Sequence, residues 1–457
     1  IIGPKQERST TRLLLRSRLR WKTAPPRHEG RGPEGALAAP LPGFGRMTLI
    51  ILGEVADASL RFFSAMPLIL LDCLWQRLAP WSRRIPAQVA DLLDPAVYSQ
   101  VVRLALPVVA VRQSAQAEQH ANSTDRAALE VECAGGETLH VFAKTGARNP
   151  LVRLLLSYAG VYRNEINRYS AVELPGVATP RAHCARASPS RFVLVVEDLS
   201  RRGEVRMPSL WMQPECSREL AQQVLATLAR VHARYLDRPP AGIWDDRDRP
   251  AFPGFMGLLT LRNCMRVEEL RRAVPPDIHE AFVAALWHWS QLRRHWSAGR
   301  QTLVHGDAHI GNMYLIDRHG DELPEVGLFD FQCVASEHPM RDVTYFLCSS
   351  YPAARAEEDV CGLLRHYLAS LGKELQALGR GELAPSFEEC WGAHRTQCFY
   401  AMYAFVFSGG IGGELQDVRQ TRILLERCSA VMRHCGAAGG LQELLSPSGS
   451  SAALARH

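Results

Sequence analysis

Between Leu303 and Gln332 the chain reads L-V-H-G-D-A-H-I-G-N-M-Y-L-I-D, then a polar turn, then V-G-L-F-D-F-Q. An apolar run ends at Val304, a loop carries Asp307, and five residues later Asn312 opens a second apolar run, Met313-Tyr314-Leu315-Ile316. Beyond the turn at His319-Gly320-Asp321, a third apolar run ends at Asp330. Short apolar runs bounded by turn residues read as strands. The pattern therefore predicts a loop followed by a β-hairpin, with an acid and an amide at one end and a second acid at the other.

Transfer of a phosphoryl group from ATP needs an acid beside the attacking hydroxyl, an amide and an acid that hold Mg²⁺, and a cation on the phosphates. Asp307, Asn312 and Asp330 are suited to the first three positions. The H-G-D-x-x-x-x-N loop from His305 to Asn312, with D-F-Q at Asp330-Phe331-Gln332, resembles the phosphotransferase family that includes aminoglycoside and choline kinases. With Arg341-Asp342-Val343-Thr344-Tyr345-Phe346-Leu347 downstream, it is most similar to the ecdysteroid-kinase-like and choline-kinase-like branch. Protein kinases match less well, because they carry H-R-D and D-F-G.

The resemblance covers roughly residues 110 to 430, a span of the size such a domain needs. It implies an α+β, bilobal, protein-kinase-like fold with a small β-rich N-lobe and a large, mainly helical C-lobe. It also implies an ATP- and Mg²⁺-dependent kinase that acts on a hydroxyl of a small molecule. Asp307 would be catalytic, and Asn312 and Asp330 would hold the metal. His305 would anchor the loop, and Asp342 would bond that loop or cap the helix it opens.

Upstream, Leu129 to Cys133 and Leu139 to Lys144 alternate around Gly135-Gly136, which reads as a hairpin. Phe142-Ala143-Lys144-Thr145 is similar to the V-A-I-K strand of kinases, so Lys144 is the phosphate-binding candidate. Tyr162 to Tyr169 has a helical pattern, and by resemblance its Glu165 would orient Lys144. Phe192 to Val196 reads as a buried strand. By resemblance, Val196, Glu197, Asp198 and Leu199 form the hinge that meets adenine. The phosphate-covering loop falls at Glu118 to Asp125, which has no G-x-G-x-x-G and would use Asn122, Ser123 and Thr124 with backbone donors.

In the second half, Leu220, Val224, Leu228 and Val231 form one helical stripe, which makes His232 a packing histidine. Further helices are expected at Cys361 to Leu371, Phe387 to Phe407 and Leu415 to Met432, with a breaker at Ser408 to Gly413. By resemblance these helices help form the acceptor pocket, with Tyr400, Tyr403 and Phe407 read either as its lining or as ordinary helical core; together with Phe399, Met402 and Phe405 and few acids nearby, they point to an amphipathic or apolar alcohol.

The chain has 457 residues, 47% of them hydrophobic and 22% charged, with a formal charge of +6. Residues 1–46 hold ten Lys/Arg against three Asp/Glu, a balance of +7, so the remainder is close to neutral. That leaves no basic footprint for nucleic acid. Twelve cysteines lack any C-x-x-C or zinc-like Cys/His spacing, and they read as reduced thiols of a cytoplasmic protein.

Five segments are expected. Residues 1–46 are a disordered extension, read either as translated upstream of a start at Met47 or as a targeting arm. Residues 47–95 are an apolar, amphipathic helical segment broken at Pro67, followed by a linker from Pro86 to Pro95. The N-lobe with its hinge takes 96–200, the C-lobe 201–435, and a disordered tail 436–457. Within 48–81 acids and arginines interrupt the apolar run, so a spanning helix is not expected. The segment either packs on the small lobe or contacts a membrane surface or partner.

Two rival functions arise from the same residues. His305, Asp307 and His309 alternate as strand neighbours do and would be metal ligands of a hydrolase. Alternatively, the chain is a catalytically inactive kinase fold that binds a small molecule or partner, because function resides in the site and not in the fold.

Overall fold

The computed structural model describes residues 44–80, 82–104, 106–114, 123–210, 216–243, 253–317, 323–411 and 416–446. The first part comprises α1 (Phe44–Leu78), a 3₁₀ turn at Val89–Leu93, α2 (Pro95–Val102), β1 (Val108–Gln113), β2 (Thr124–Cys133) and β3 (Thr138–Gly146). It continues through α3 (Pro150–Tyr158), α4 (Val161–Ala171), β4 (Ala182–Ala187) and β5 (Phe192–Glu197). The five strands form one antiparallel sheet in the order β1-β2-β3-β5-β4. Gly135 and Gly136 close the β2–β3 hairpin at φ 107° and 86°, a region open to glycine at little cost.

The second part is mostly helical. It runs through β6 (Val205–Arg206), α5 (Arg218–Tyr235), α6 (Pro253–Met265), α7 (Glu268–Ala273), α8 (Pro276–Trp287) and α9 (Trp289–Ala298). The short strands β7 (Thr302–Val304), β8 (Met313–Ile316), β9 (Glu325–Leu328) and β10 (Ala335–Glu337) follow. Last come α10 (Met340–Ser350), α11 (Ala356–Ala377), α12 (Phe387–Gly410), α13 (Val418–Cys435) and α14 (Ala437–Leu445). The α+β arrangement expected from the sequence, a small antiparallel sheet region and a larger helical one, is the one observed. The loop and hairpin read from Leu303 to Gln332 are β7, the loop, and the antiparallel pair β8–β9.

Each region has its own core. Val131, Val141, Val193 and Val195 of the sheet pack on Leu92, Tyr98 and Val101. The helical region packs around α5, α10, α12 and α13.

Three expectations are corrected. Helix α1 continues through Pro67 where a break was expected. Proline removes one backbone bond and normally kinks or breaks a helix. Here anchored residues lie on both sides of it: Phe62 stacks edge-on with Tyr158 at 5.3 Å, Ile69 is buried, and Asp72 accepts hydrogen bonds from Ser188 and Ser190. The linker at Pro86 to Pro95 is packed, with Val89 and Leu92 buried. The tail expected from Gly436 is helical over Ala437–Leu445: Gly436 turns the chain at φ 65° and Leu441 is buried. Of the expected segments 1–46 and 436–457, residues 1–43 and 447–457 lie outside the described residues.

Candidate active site

Strand β3 brings Lys144 beneath the sheet, where a lone ammonium would be costly to bury. Its Nζ donates to both oxygens of Glu165 on α4, at 2.8 and 2.9 Å, and to Asp330 Oδ1 at 2.8 Å. Burial opposes the charge on Lys144, yet Asp330 and Glu165 outweigh it and raise its pKa. Burial likewise raises the Asp330 carboxyl, but the charge and hydrogen bond of Lys144 hold it below the usual range. Asp330 itself sits at φ 61°, a left-handed conformation that few residues other than glycine, asparagine and aspartate tolerate.

The residues after Asp330 tie it to the rest of the site. Phe331 is fully buried, 4.9 Å from the His305 ring and 5.8 Å from Tyr169, with the Arg168 guanidinium 4.5 Å from its centroid. Asn164 on α4 donates to the Val334 carbonyl at 3.0 Å. Moving α4 would therefore disturb both the Lys144 pair and the segment that carries Asp330.

The loop between β7 and β8 is clamped by Asp342, which is fully buried on the first turn of α10. Asp342 Oδ2 accepts from the His305 N–H at 2.6 Å and Oδ1 from the Gly306 N–H at 2.8 Å. The sequence left two roles open for Asp342, and the loop-bonding one is found. Gly306 has φ 81°, and a Cβ there would stand 2.0 Å from the Cys333 carbonyl oxygen. His305 anchors the loop as expected: Nε2 meets the Phe329 carbonyl at 2.8 Å, and Nδ1 accepts from Asp307 N–H at 3.4 Å.

Asp307 and Asn312 face each other across this loop. Asn312 Nδ2 donates to the Asp307 carbonyl at 3.0 Å and to Asp307 Oδ2 at 3.1 Å. That leaves the Asn312 side-chain oxygen as its acceptor for a cation. The Asn312 carbonyl accepts from Phe329 N–H at 3.1 Å, which brings the amide's strand alongside the segment of Asp330. A carboxylate and an amide oxygen form a hard donor set of the kind that suits Mg²⁺.

At the hinge, Val196 pairs with Phe142 in the sheet. The side chains of Glu197 and Asp198 are already engaged: Glu197 accepts from Arg181 N–H at 2.9 Å, and Asp198 caps the following turn through Ser200 N–H at 3.0 Å. Their own N–H groups donate to Arg181 and His140 carbonyls. Any contact with a base at this segment thus falls to carbonyls and to Leu199. Of the expected phosphate loop, residues 118–122 lie outside the described set. Thr124 and Asp125 begin β2, and Asp125 accepts from Val89 N–H and Arg148.

Three positions were missed or underread in the sequence. His232, read only as packing, lies with Nε2 3.3 Å from Asp342 Oδ2 and Nδ1 2.9 Å from the Tyr367 hydroxyl. Tyr345, one helical turn beyond Asp342, lies near Asp307; burial first, then that carboxylate, pushes its phenol well up. Arg126, opposite Lys144 in β2, helps lower Asp330. The i+3 spacing of Asp342 and Tyr345 was the one signal available for these roles.

Two expectations about nearby residues are corrected. Phe399, Met402 and Phe405 are buried core, not pocket lining, because they occupy the inner face of α12. Tyr400, Tyr403 and Phe407 are only partly buried. His305, Asp307 and His309 form no metal cluster among the described residues, since His305 is turned to the Phe329 carbonyl.

Comparison with known proteins adds the family. The sequence pattern of the phosphotransferase enzyme family, APH, matches residues 136–382. Comparison with curated proteins gives no match. Among solved structures, the chain is similar to a macrolide 2'-phosphotransferase from Brachybacterium faecium, at 17% identity over 74% of this chain and 97% of that one, TM-score 0.37. It is similar to a choline kinase from Cryptosporidium parvum Iowa II, at 7% identity over 78% and 94%, TM-score 0.38. It is also similar to an ethanolamine kinase from Plasmodium vivax, at 11% identity over 79% and 86%, TM-score 0.36. Scores this low fix neither fold nor substrate.

Proposed function

The chain belongs to the phosphotransferase enzyme family, and we propose that it is an ATP-dependent small-molecule kinase that moves the γ-phosphoryl group to a hydroxyl. The observation that carries this reading is Lys144 held between Glu165 and Asp330, beside a loop that pairs Asp307 with Asn312. In this reading Lys144 steadies the α/β-phosphate oxygens, and Glu165 fixes its direction. Asp307 orients the acceptor hydroxyl and takes its proton. Asn312 and Asp330 would hold Mg²⁺, which would neutralise phosphate charge when bound. The backbone of Val196, Glu197, Asp198 and Leu199 would meet the adenine. A binding-only fold is the weaker reading, because Lys144, Asp307, Asn312 and Asp330 are all retained.

For the acceptor we propose an amphipathic or apolar alcohol. With Phe399, Met402 and Phe405 in the core, support rests on the aromatic side chains near Asp307: its charge acts on Tyr345, and Tyr400 lies 6.4 Å from Tyr345. The test is ADP release with Mg²⁺ and ATP against pooled hydroxyl compounds. Acceptor-dependent turnover on an amphipathic pool is the expected result. Turnover restricted to polycationic aminoglycosides would overturn the acceptor class, and nucleotide binding without turnover on any pool would favour the binding-only reading.

We also propose that the outward face of α1 rests on an anionic lipid surface. One side of the helix is anchored through Ile69, Asp72 and Gln76. The other side exposes Leu60, Phe63, Leu70, Leu71, Leu74 and Leu78 at 56% or more, far beyond scattered surface apolar residues. Among the described residues no helix is long and apolar enough to cross a membrane. Along the sequence, Arg77, Arg83 and Arg84 stand at the end of this segment and the +7 balance of residues 1–46 precedes it. That combination suits acidic headgroups better than a second copy, whose matching face would be equally basic. The full chain is expected to sediment with vesicles containing phosphatidylserine, less so with pure phosphatidylcholine, and Leu71→Asp with Leu74→Asp should abolish this. Absence of vesicle binding, or self-association instead, would refute it.

A further inference from the structure

A cluster of thiols and one imidazole lies in the helical core, away from Lys144 and Asp307. Cys398 on α12 and Cys435 on α13 place their sulfurs 3.7 Å apart. His394, one turn before Cys398, completes a trio whose ligand atoms all lie within 4.8 Å of one another. All three residues are buried. Cys348, fully buried on α10, lies in the same thiol-rich part of the core.

Buried thiols alone pack as small apolar groups. The His394 ring does not fit that account. Its Nδ1 is bonded to the Thr344 hydroxyl at 2.8 Å, whereas its Nε2 is buried with no partner at hydrogen-bonding distance, and the Cys435 thiol is the group it faces. A buried polar atom in that position calls for an explanation. Thr344 fixes the tautomer and the ring's direction, the task that outer partners perform for metal-bound histidines. If the Thr344 oxygen accepts from Nδ1–H, then Nε2 presents a bare lone pair.

We propose that His394, Cys398 and Cys435 bind Zn²⁺. Geometry, charge and softness agree. Zn–S bonds of about 2.3 Å at tetrahedral angles put two sulfurs about 3.8 Å apart, close to the observed separation. Two thiolates and an imidazole around Zn²⁺ sum to zero charge, which the apolar surroundings accept at least cost. Around Cu⁺ the same set would carry an extra negative charge, and thiolates disfavour the hard ions Mg²⁺ and Ca²⁺. Binding releases the protons of the coordinating thiols to solvent. The ion would join α12 to α13 and, through the Thr344 hydroxyl on His394, reach α10, the helix whose Asp342 clamps the loop of Asp307. Its role would be structural.

The test is metal analysis of the untagged full chain, expressed with zinc and purified without chelators. The expected result is about one zinc per chain, the stoichiometry of a single closed site. It should fall to background in Cys398→Ser and in Cys435→Ser and be retained in Cys361→Ser, a cysteine 3.7 Å from His434 and not part of the trio. Cobalt loading of the unsubstituted chain, which depends on no variant's folding, should give intense thiolate-to-metal absorption. Zinc at background and no cobalt band in the unsubstituted chain would overturn the site. So would zinc content unchanged by both serine substitutions, which would place the ion elsewhere.

Discussion

Asp307→Ala should lower acceptor-dependent kcat by about 10²- to 10⁴-fold, the range that a positioned general base contributes, with little change in ATP affinity. The split follows from the geometry. Asp307 is bonded to Asn312, whereas the expected phosphate and adenine contacts come from Lys144 and the hinge. A loss of that size corresponds to about 3–5 kcal/mol of barrier. The Asn312 amide keeps its bond to the backbone carbonyl of residue 307, so the loop should hold its shape and the variant should melt near the parent temperature. Steady-state kinetics with nucleotide-binding titration on the same preparation checks both halves. An unchanged kcat would remove Asp307 from the chemistry. A joint loss of kcat and ATP binding would point to a collapsed loop instead.

Asp342→Ala should destabilise the protein by about 3–5 kcal/mol, the scale for removing one partner from a buried charged network. Three donors lose their acceptor at once: the N–H groups of His305 and Gly306, and His232 Nε2. None has water to turn to, because Asp342 and His232 are fully buried. A drop in Tm on the order of 10 °C is expected, together with loss of activity as the loop carrying Asp307 is released. A Tm within experimental error of the parent would contradict the clamp. The pH dependence has a definite sign. Burial raises the Asp342 carboxyl, but the bond and charge of His232 and the Gly306 N–H outweigh it and leave its pKa lowered. A lowered folded pKa contributes stability in full above the unfolded carboxyl value of about 3.9. That contribution is lost as pH falls through the folded value. Acid unfolding should therefore differ between parent and variant mainly above that window, where the parent alone retains the stabilisation.

Much of the site's chemistry was legible locally. The loop from His305 to Asn312 and the hairpin to Asp330 occupy one continuous stretch, and strand alternation with turn residues marked the β2–β3 hairpin carrying Lys144. Contacts that join distant segments were less legible. His232 lies 110 positions before Asp342, and nothing in the α5 stripe separates a histidine that packs from one that orients a carboxylate. The aromatic side chains of α12 misled for a related reason. Spacing shows that they recur on a helix, but not that Phe399, Met402 and Phe405 face the core. Pro67 was read as a break because a local rule says so, while Asp72 and Ile69 anchor the helix beyond it through tertiary contacts.

The sequence by itself determined the family, the α+β class and the identity of the acids, amide and lysine in the candidate site, because short-range spacing and strand periodicity are written along the chain. Only the tertiary structure decided which charges share a buried environment. Lys144 meets Asp330 across 186 positions, and the carboxylate's lowered pKa exists only once that contact forms. The same holds for His394, Cys398 and Cys435. His394 and Cys398 stand one turn apart on α12, but Cys435 comes from α13, and three-dimensional packing alone brings the second sulfur beside them.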